Sequence, residues 1–306
     1  MIKKYKKLNK ENKGFIFGFF GILIFSLTPP ATKIALGFDN NALSPEFITF
    51  GRSALAGTLS LMYLLFFKKK IPNIKYIFNI LIISISLTVG FPLFLSLGLI
   101  HSTSTHAAVI LTLMPLLTAV FASFYFKQKA SLGFWICSLI GCIVLVIYTL
   151  IRGRTDDGVI ELSYADILFF ISVIAGAIGY IFGAKLTKIM GSVDVISWAL
   201  AFALPFHLIF ALYYFPIKEI PMISWLGFLY VALFSQWIGF FAWYKGLDLG
   251  GAVRVSQIQL LMPFLTFIFS IILLREILDS FTIFFSIAVV IVIYVSKKTN
   301  IQKDNS

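Results

Sequence analysis

One stretch of this chain occurs twice, and that duplication constrains the fold more than any other feature. Residues 98–129 read GLIHSTSTHAAVILTLMPLLTAVFASFYFKQK, and residues 246–277 read GLDLGGAVRVSQIQLLMPFLTFIFSIILLREI. Aligned without a gap, the copies share Gly98 and Leu99 with Gly246 and Leu247, and Leu113, Met114 and Pro115 with Leu261, Met262 and Pro263. Leu117, Thr118 and Phe121 then match Leu265, Thr266 and Phe269. A proline inside an apolar helix removes a backbone hydrogen bond and its ring collides with the preceding turn, so its recurrence at equivalent places argues that a whole unit was duplicated. Internal repeats with interrupted helices in corresponding positions are how many transporters form a central site.

The composition fixes the solvent. The chain is 59% hydrophobic and 12% charged, with a mean hydropathy of +0.97, which places it in a bilayer rather than in water. Its 25 Lys and Arg against 13 Asp and Glu sit in short clusters between apolar runs. They do not form the continuous basic face that nucleic acid requires, so nucleic acid is not expected as a partner. Cys137 and Cys142 lie five apart inside one apolar run with no His or Cys partner close by, and read as small packing residues.

A helix needs about 20 mostly apolar residues to cross the hydrocarbon, and ten stretches qualify: 14–36, 44–67, 74–100, 103–126, 132–151, 164–186, 194–215, 221–247, 251–274 and 280–296. The polar loop 152–163, with Asp156, Asp157 and Glu161, is the longest internal break and divides a first unit, 14–151, from a second, 164–296. The basic start, with Lys3, Lys4, Lys6, Lys7, Lys10 and Lys13, resembles a signal peptide's basic region. The apolar run behind it is long and no small-residue cleavage site follows, so it is expected to stay attached. With a cytoplasmic amino terminus, nearly all Lys and Arg of the loops fall inside, including Lys68 to Lys70, Lys127, Lys129, Lys188, Lys245, Arg254, Lys297 and Lys298. Only Arg152, Arg154, Lys218 and Arg275 fall outside. The excess predicts both termini in the cytoplasm. Five spans per unit then oblige the second to enter the membrane from the opposite side, making the repeats inverted. The predicted fold is an all-α membrane protein of ten transmembrane helices in two inverted five-helix repeats.

With the small-residue turns, the central Pro115 and Pro263, Arg52 in the second span and Glu276 at the end of the ninth, the chain resembles the EamA family of the drug/metabolite transporter superfamily from about Gly14 to Tyr294. The first half departs from the pattern, since Gln128 stands where Glu276 stands in the second. The resemblance implies a multi-pass protein of a bacterial cytoplasmic (inner) membrane that exports amino acids or related small metabolites.

Amide and ionisable groups in hydrocarbon are costly enough to be functional candidates. Gln257 and Gln259 precede Pro263 and, two apart on a helix, point in different directions; one can face a cavity while the other bonds a neighbouring helix. Gln236 lies in the eighth span with Trp243 two turns on. The pair suits an aromatic solute, and equally an aromatic packing or interface role. Pro115 and Pro263 each free a carbonyl that can line a cavity or serve as a bend, or simply kink the helix. These six residues are the expected pathway. His101 and His106 flank the turn between the third and fourth spans, His207 lies near Pro205 and can bond the carbonyl that proline frees, and Arg52 needs a partner from another helix because Glu46 is six residues away. Lys33 and Lys185 read as interface anchors or as solute-carboxylate ligands. Gly14 with Gly18, Gly179 with Gly183 and Gly246 with Gly250 predict close helix approach.

The sequence carries no nucleotide-binding glycine loop, paired metal ligands or nucleophile motif, so no cofactor or metal is expected and any driving force comes from a gradient. The expected partners are a small solute and the lipid bilayer, with homo-oligomerisation left open. Against the carrier stand a membrane-embedded enzyme acting on a lipid-linked substrate and a passive channel.

Overall fold

The computed structural model describes residues 10–39, 41–125, 132–152, 163–250 and 255–298. The amino-terminal lysines before Lys10, Lys127, Gln128, Lys129, Arg154, Asp156, Asp157, Glu161 and Arg254 lie outside the described residues.

The described chain is all-helical: α1 (Lys10–Ser26), α2 (Thr28–Leu36), α3 (Pro45–Phe66), α4 (Ile74–Ser84), α5 (Phe91–His101), α6 (Ser104–Leu111), α7 (Met114–Tyr125), α8 (Leu132–Arg152), α9 (Tyr164–Met190), α10 (Ser192–Tyr213), α11 (Met222–Tyr230), α12 (Gly239–Gly250), α13 (Met262–Leu274) and α14 (Ser280–Lys298). A widened π-helical stretch, Ile85–Gly90, joins α4 to α5, and another, Val231–Ile238, joins α11 to α12. A tight 3₁₀ stretch, Ser256–Leu261, leads into α13.

Proline explains most of these interruptions. Pro29 and Pro30 open α2 after a break at Leu27. Pro92 would drive its ring into the Thr88 carbonyl of a regular helix; the chain widens there instead, and that carbonyl accepts a hydrogen bond from Ser53 Oγ at 2.9 Å. Before Pro115 the backbone tightens, with Thr112 N donating to Val109 O at 3.1 Å and Leu113 N to Ile110 O at 3.0 Å, and α7 starts afresh at Met114. The second copy does the same: the 3₁₀ stretch ends at Leu261 and Pro263 occupies the first turn of α13, where a missing N–H costs nothing.

Six continuous runs are long and apolar enough to cross a membrane: Asn12–Leu36, Pro45–Phe66, Ile74–His101, Tyr164–Met190, Ser192–Tyr213 and Met222–Gly250. Shorter apolar helices, Ser104–Thr118, Trp135–Tyr148, Ile258–Leu274 and Ser280–Val292, stand where the sequence predicts the fourth, fifth, ninth and tenth spans. Large apolar side chains such as Leu65, Phe78, Ile209 and Leu212 cover the outside, a surface suited to hydrocarbon rather than water.

The helices pair across the two halves. α1 packs on α12, α5 on α9, α3 on α10, α6 on α13, and α8 on α14. Exchanging the halves maps this set of pairs onto itself. The α1–α12 contact shows why glycine recurs at four-residue spacing: a Cβ on Gly14 would lie 2.4 Å from the Gly250 nitrogen, and one on Gly246 2.6 Å from the Gly18 nitrogen. Only bare backbones approach so closely.

Candidate functional site

The duplicated stretches meet at the centre. Pro115 and Pro263, with Thr112, Thr266, Met114 and Gln259, line one small enclosed cavity of about 10 Å³ where α6 and α7 face α13, room for about a single water. Gln259 is 5% exposed. Thr112 Oγ1 is turned back on Ala108 O at 2.9 Å, while Thr266 Oγ1 reaches Ser26 O, beside the α1–α2 break, at 2.9 Å. Three of the six expected pathway residues are thus brought together.

The others are placed elsewhere. Gln236 is buried in the second π stretch and donates from Nε2 to Leu87 O, in the first π stretch, at 3.1 Å. It ties the two widened turns together. Trp243 is fully buried on α12, packed against Gly21 and 5.9 Å from the Tyr180 ring, and its Nε1 has no hydrogen-bond partner among the described residues. The side chain of Gln257 lies outside the described part of the structure.

Around Gln236 lies a buried polar layer that sequence reasoning caught only in part. Arg52 is 1% exposed. Its Nη2 donates to Ser235 Oγ at 3.1 Å, and that hydroxyl shares a 2.7 Å hydrogen bond with Thr28 Oγ1 at the start of α2. The partner does come from another helix, as the sequence requires, yet it is a hydroxyl rather than a carboxylate. His207 departs from expectation: it bonds Thr88 Oγ1 through Nε2 at 2.7 Å instead of the carbonyl freed by Pro205, because the π stretch turns Thr88 toward α10. Thr28, Thr88 and Ser235 could have been flagged as hydroxyls beside prolines or within apolar runs; each alone is too common a residue to stand out.

A second polar layer closes one end. Arg275 ends α13 in the left-handed conformation (φ 54°), which turns Glu276 onto the first turn of α6. The Glu276 carboxylate accepts from Ser104 N at 2.8 Å, Ser104 Oγ at 2.6 Å and Thr105 N at 2.9 Å. A negative charge at a helix N-terminus satisfies free N–H groups and meets the positive end of the helix dipole. Lys33 Nζ donates to Leu99 O at 2.6 Å and to Ser102 O at 3.3 Å, capping the end of α5. Beneath them His106 is held on both sides, by Asp166 Oδ1 at Nε2 (2.5 Å) and by the Tyr148 hydroxyl at Nδ1 (2.9 Å). Asp166, an acid within the predicted sixth span, is the residue whose position alone should have singled it out. Lys185 reaches the Tyr125 hydroxyl at 2.8 Å.

Among the described residues no cluster of three or more His, Cys, Asp or Glu is placed to hold a metal. The chemistry on offer among the described residues is hydrogen bonding and charge pairing inside a helical bundle with two related halves. That is the make-up of a repeat-built membrane transporter.

The chain belongs to the EamA-like transporter family, which matches it twice, over residues 12–150 and 163–297. An uncharacterized transporter of Bacillus subtilis (strain 168), YdeK, is 37% identical over 272 residues, covering 88% of this chain and 91% of that one. Another from the same organism, YetK, is 24% identical across 81% of this chain and 76% of its own length. An uncharacterized transporter of Archaeoglobus fulgidus is 25% identical, with 85% and 91% covered. A solved protein crystal structure superposes with a TM-score of 0.63 at 15% identity, covering 92% of this chain and 97% of that one; it shares the fold. The protein is a multi-pass membrane protein of a transporter family.

Proposed function

We propose that this protein is a secondary carrier that exports a small metabolite, such as an amino acid or a related compound, across a bacterial cytoplasmic membrane by alternating access. On this reading the chain crosses ten times as two inverted five-helix repeats, with both termini in the cytoplasm. It is not an enzyme, and no bound cofactor takes part.

The observation that carries the reading is the meeting of Pro115, Pro263 and Gln259 at one cavity where the interrupted helices of both halves face each other. Interrupted helical backbone beside a buried amide is where a polar solute that has shed its water can be held inside a membrane. The pairing of each helix with a counterpart from the other half supports the inverted arrangement. In that topology the layer of Lys33, Glu276, His106 and Asp166 faces outward, so the conformation described is closed to the outside. The solute enters the centre when one face opens and leaves when the other does.

The test is counterflow in liposomes. Purified protein loaded with a panel of amino acids and related solutes should exchange at least one of them saturably under a proton or sodium gradient. Flux that rises linearly without saturation identifies a channel, and no exchange with any solute under either gradient refutes the carrier.

A further inference from the structure

We propose that Arg52 is the anion-binding subsite of this carrier, holding a single carboxylate of the solute between α2, α3 and the π stretch Val231–Ile238. The proposal rests on the carrier reading above and names the chemistry that reading leaves open.

Two of the three guanidinium nitrogens of Arg52, Nε and Nη1, meet no acceptor among the described residues, and the third is held only by the neutral Ser235 hydroxyl. No ion pair among the described residues involves Arg52. Guanidinium stays protonated in proteins, so a whole positive charge sits 1% exposed in a bundle whose described residues offer it no counterion. A charge withdrawn from water without a partner is among the most costly groups a fold can contain, and in membrane proteins such groups mark pathways for ions and substrates.

The neighbours fit an incoming oxyanion rather than a cation. Thr49 lies three residues before Arg52 on the same face of α3; it is fully buried and its Oγ1 also meets no partner among the described residues. With Arg52 it offers unused donors from one side. Ser235 and Thr28, linked by one shared proton, add hydroxyls from the opposite half and from the α1–α2 break. The Ser235–Thr28 link leads toward the central cavity, because Ser26, two residues before Thr28, receives Thr266 from the cavity wall through its carbonyl. A solute admitted when the bundle opens around that cavity can therefore extend one end toward Arg52 while Gln259 meets the other.

Charge balance selects the anion. One guanidinium neutralises one negative charge, which a carboxylate carries at neutral pH. A phosphate monoester brings about −1.5 to −2 and would leave a residual charge in the bundle. His207, elsewhere in this layer, bonds Thr88 through Nε2 and has no partner at Nδ1 among the described residues.

The test compares thermal unfolding of the purified wild type, Arg52→Met and Arg52→Lys in detergent, with sodium acetate, sodium phosphate or sodium chloride at equal ionic strength. Acetate should raise the wild-type midpoint by about 2–4 °C, and phosphate no more than chloride. Arg52→Lys, which keeps the charge, should retain part of the acetate response. Arg52→Met should lose it and, in chloride, melt at or above the wild-type temperature because an uncompensated charge has been removed. A lower midpoint for both variants in chloride would show that Arg52 is a structural group and overturn the proposal. So would an absent wild-type response to acetate, an equal response in Arg52→Met, or a larger response to phosphate. Counterflow separates this inference from the reading beneath it. If Arg52→Met exchanges carboxylate-bearing and neutral solutes as the wild type does, the subsite is wrong and the carrier stands. If the wild type exchanges nothing yet acetate stabilises it through Arg52, the carrier is wrong and the anion site stands.

Discussion

Replacing Glu276 with glutamine should release the outer closure, and the structure gives the size of the effect. Oε1 accepts from Ser104 N and Oγ, and Oε2 accepts from Thr105 N. Glutamine keeps one acceptor for Ser104 and sets an amide donor against the Thr105 N–H. One charge-assisted hydrogen bond is lost, about 1.5–3 kcal/mol, together with the charge on the α6 dipole, about 0.3–1 kcal/mol. The closed face is thus weakened by about 2–4 kcal/mol, and at about 1.4 kcal/mol per tenfold the outward-open population rises about 30- to 700-fold. The reporter is Ala108, which lines the central cavity and is 3% exposed. Placed as Ala108→Cys in a background lacking Cys137 and Cys142, it should react with a membrane-impermeant maleimide added outside, faster in Glu276→Gln by a factor in that range. A change under about threefold, with the variant still monodisperse, would refute the idea that this carboxylate holds the outer face shut.

Gln259→Leu should weaken solute binding by about 1–3 kcal/mol, the penalty for a buried partner left unpaired, with little loss of folded protein; an unchanged ligand-induced shift in unfolding temperature would count against the cavity. Pro115→Ala or Pro263→Ala should alter counterflow turnover more than affinity, since an alanine N–H lets the helix run on through the interruption and biases one access state; a change confined to affinity contradicts this. Asp166→Ala leaves the buried His106 Nε2 without its hydrogen-bond partner and should destabilise the fold by about 1–3 kcal/mol, visible as a drop in unfolding midpoint; a wild-type midpoint would show the pair to be dispensable. For topology, an impermeant thiol probe should modify Gly158→Cys and spare Lys69→Cys on intact cells, and the reverse pattern inverts the orientation.

How far the fold could be read in advance depended on whether a feature repeats. Pro115 and Pro263 could be matched by alignment, and because each removes a specific backbone bond, an interruption at each follows from the sequence; that the backbone tightens there, whereas it widens before Pro92, does not. The glycine pairs predicted close helix approach in the same way, since spacing by four puts both on one face, though not that α1 and α12 would be the partners. The π stretches were not legible. Pro92 accounts for the first, but Val231–Ile238 contains no proline and no glycine, and the hydrogen bond its Gln236 makes to Leu87 spans 149 positions. The site shows the same divide. Gln259 was reachable because it precedes a matched proline. The Arg52, Ser235 and Thr28 cluster joins residues as far apart as 207 positions, and no local pattern links them.

The duplicated frame carries groups that differ at its two ends. Where the first copy has Ser104, Thr105 and His106, the second has Ala252, Val253 and Arg254, and where the second has Glu276 the first has Gln128. The carboxylate that caps α6 therefore has no acidic counterpart at the matching place of the other unit. Lys33 and Lys185 match in sequence, but Lys33 holds the carbonyls that end α5 while Lys185 reaches a tyrosine hydroxyl. Symmetric closures would leave two access states of a carrier nearly equal in energy. On the carrier reading proposed above, a carboxylate cap at one face with no acidic counterpart at the matching place of the other would bias the empty protein toward closure on the capped side. A solute shifts that bias only by its differential affinity for the two states. On that reading the helix contacts at the shared prolines and glycines define the two states, and the residues that diverged after duplication set which of them the protein occupies at rest.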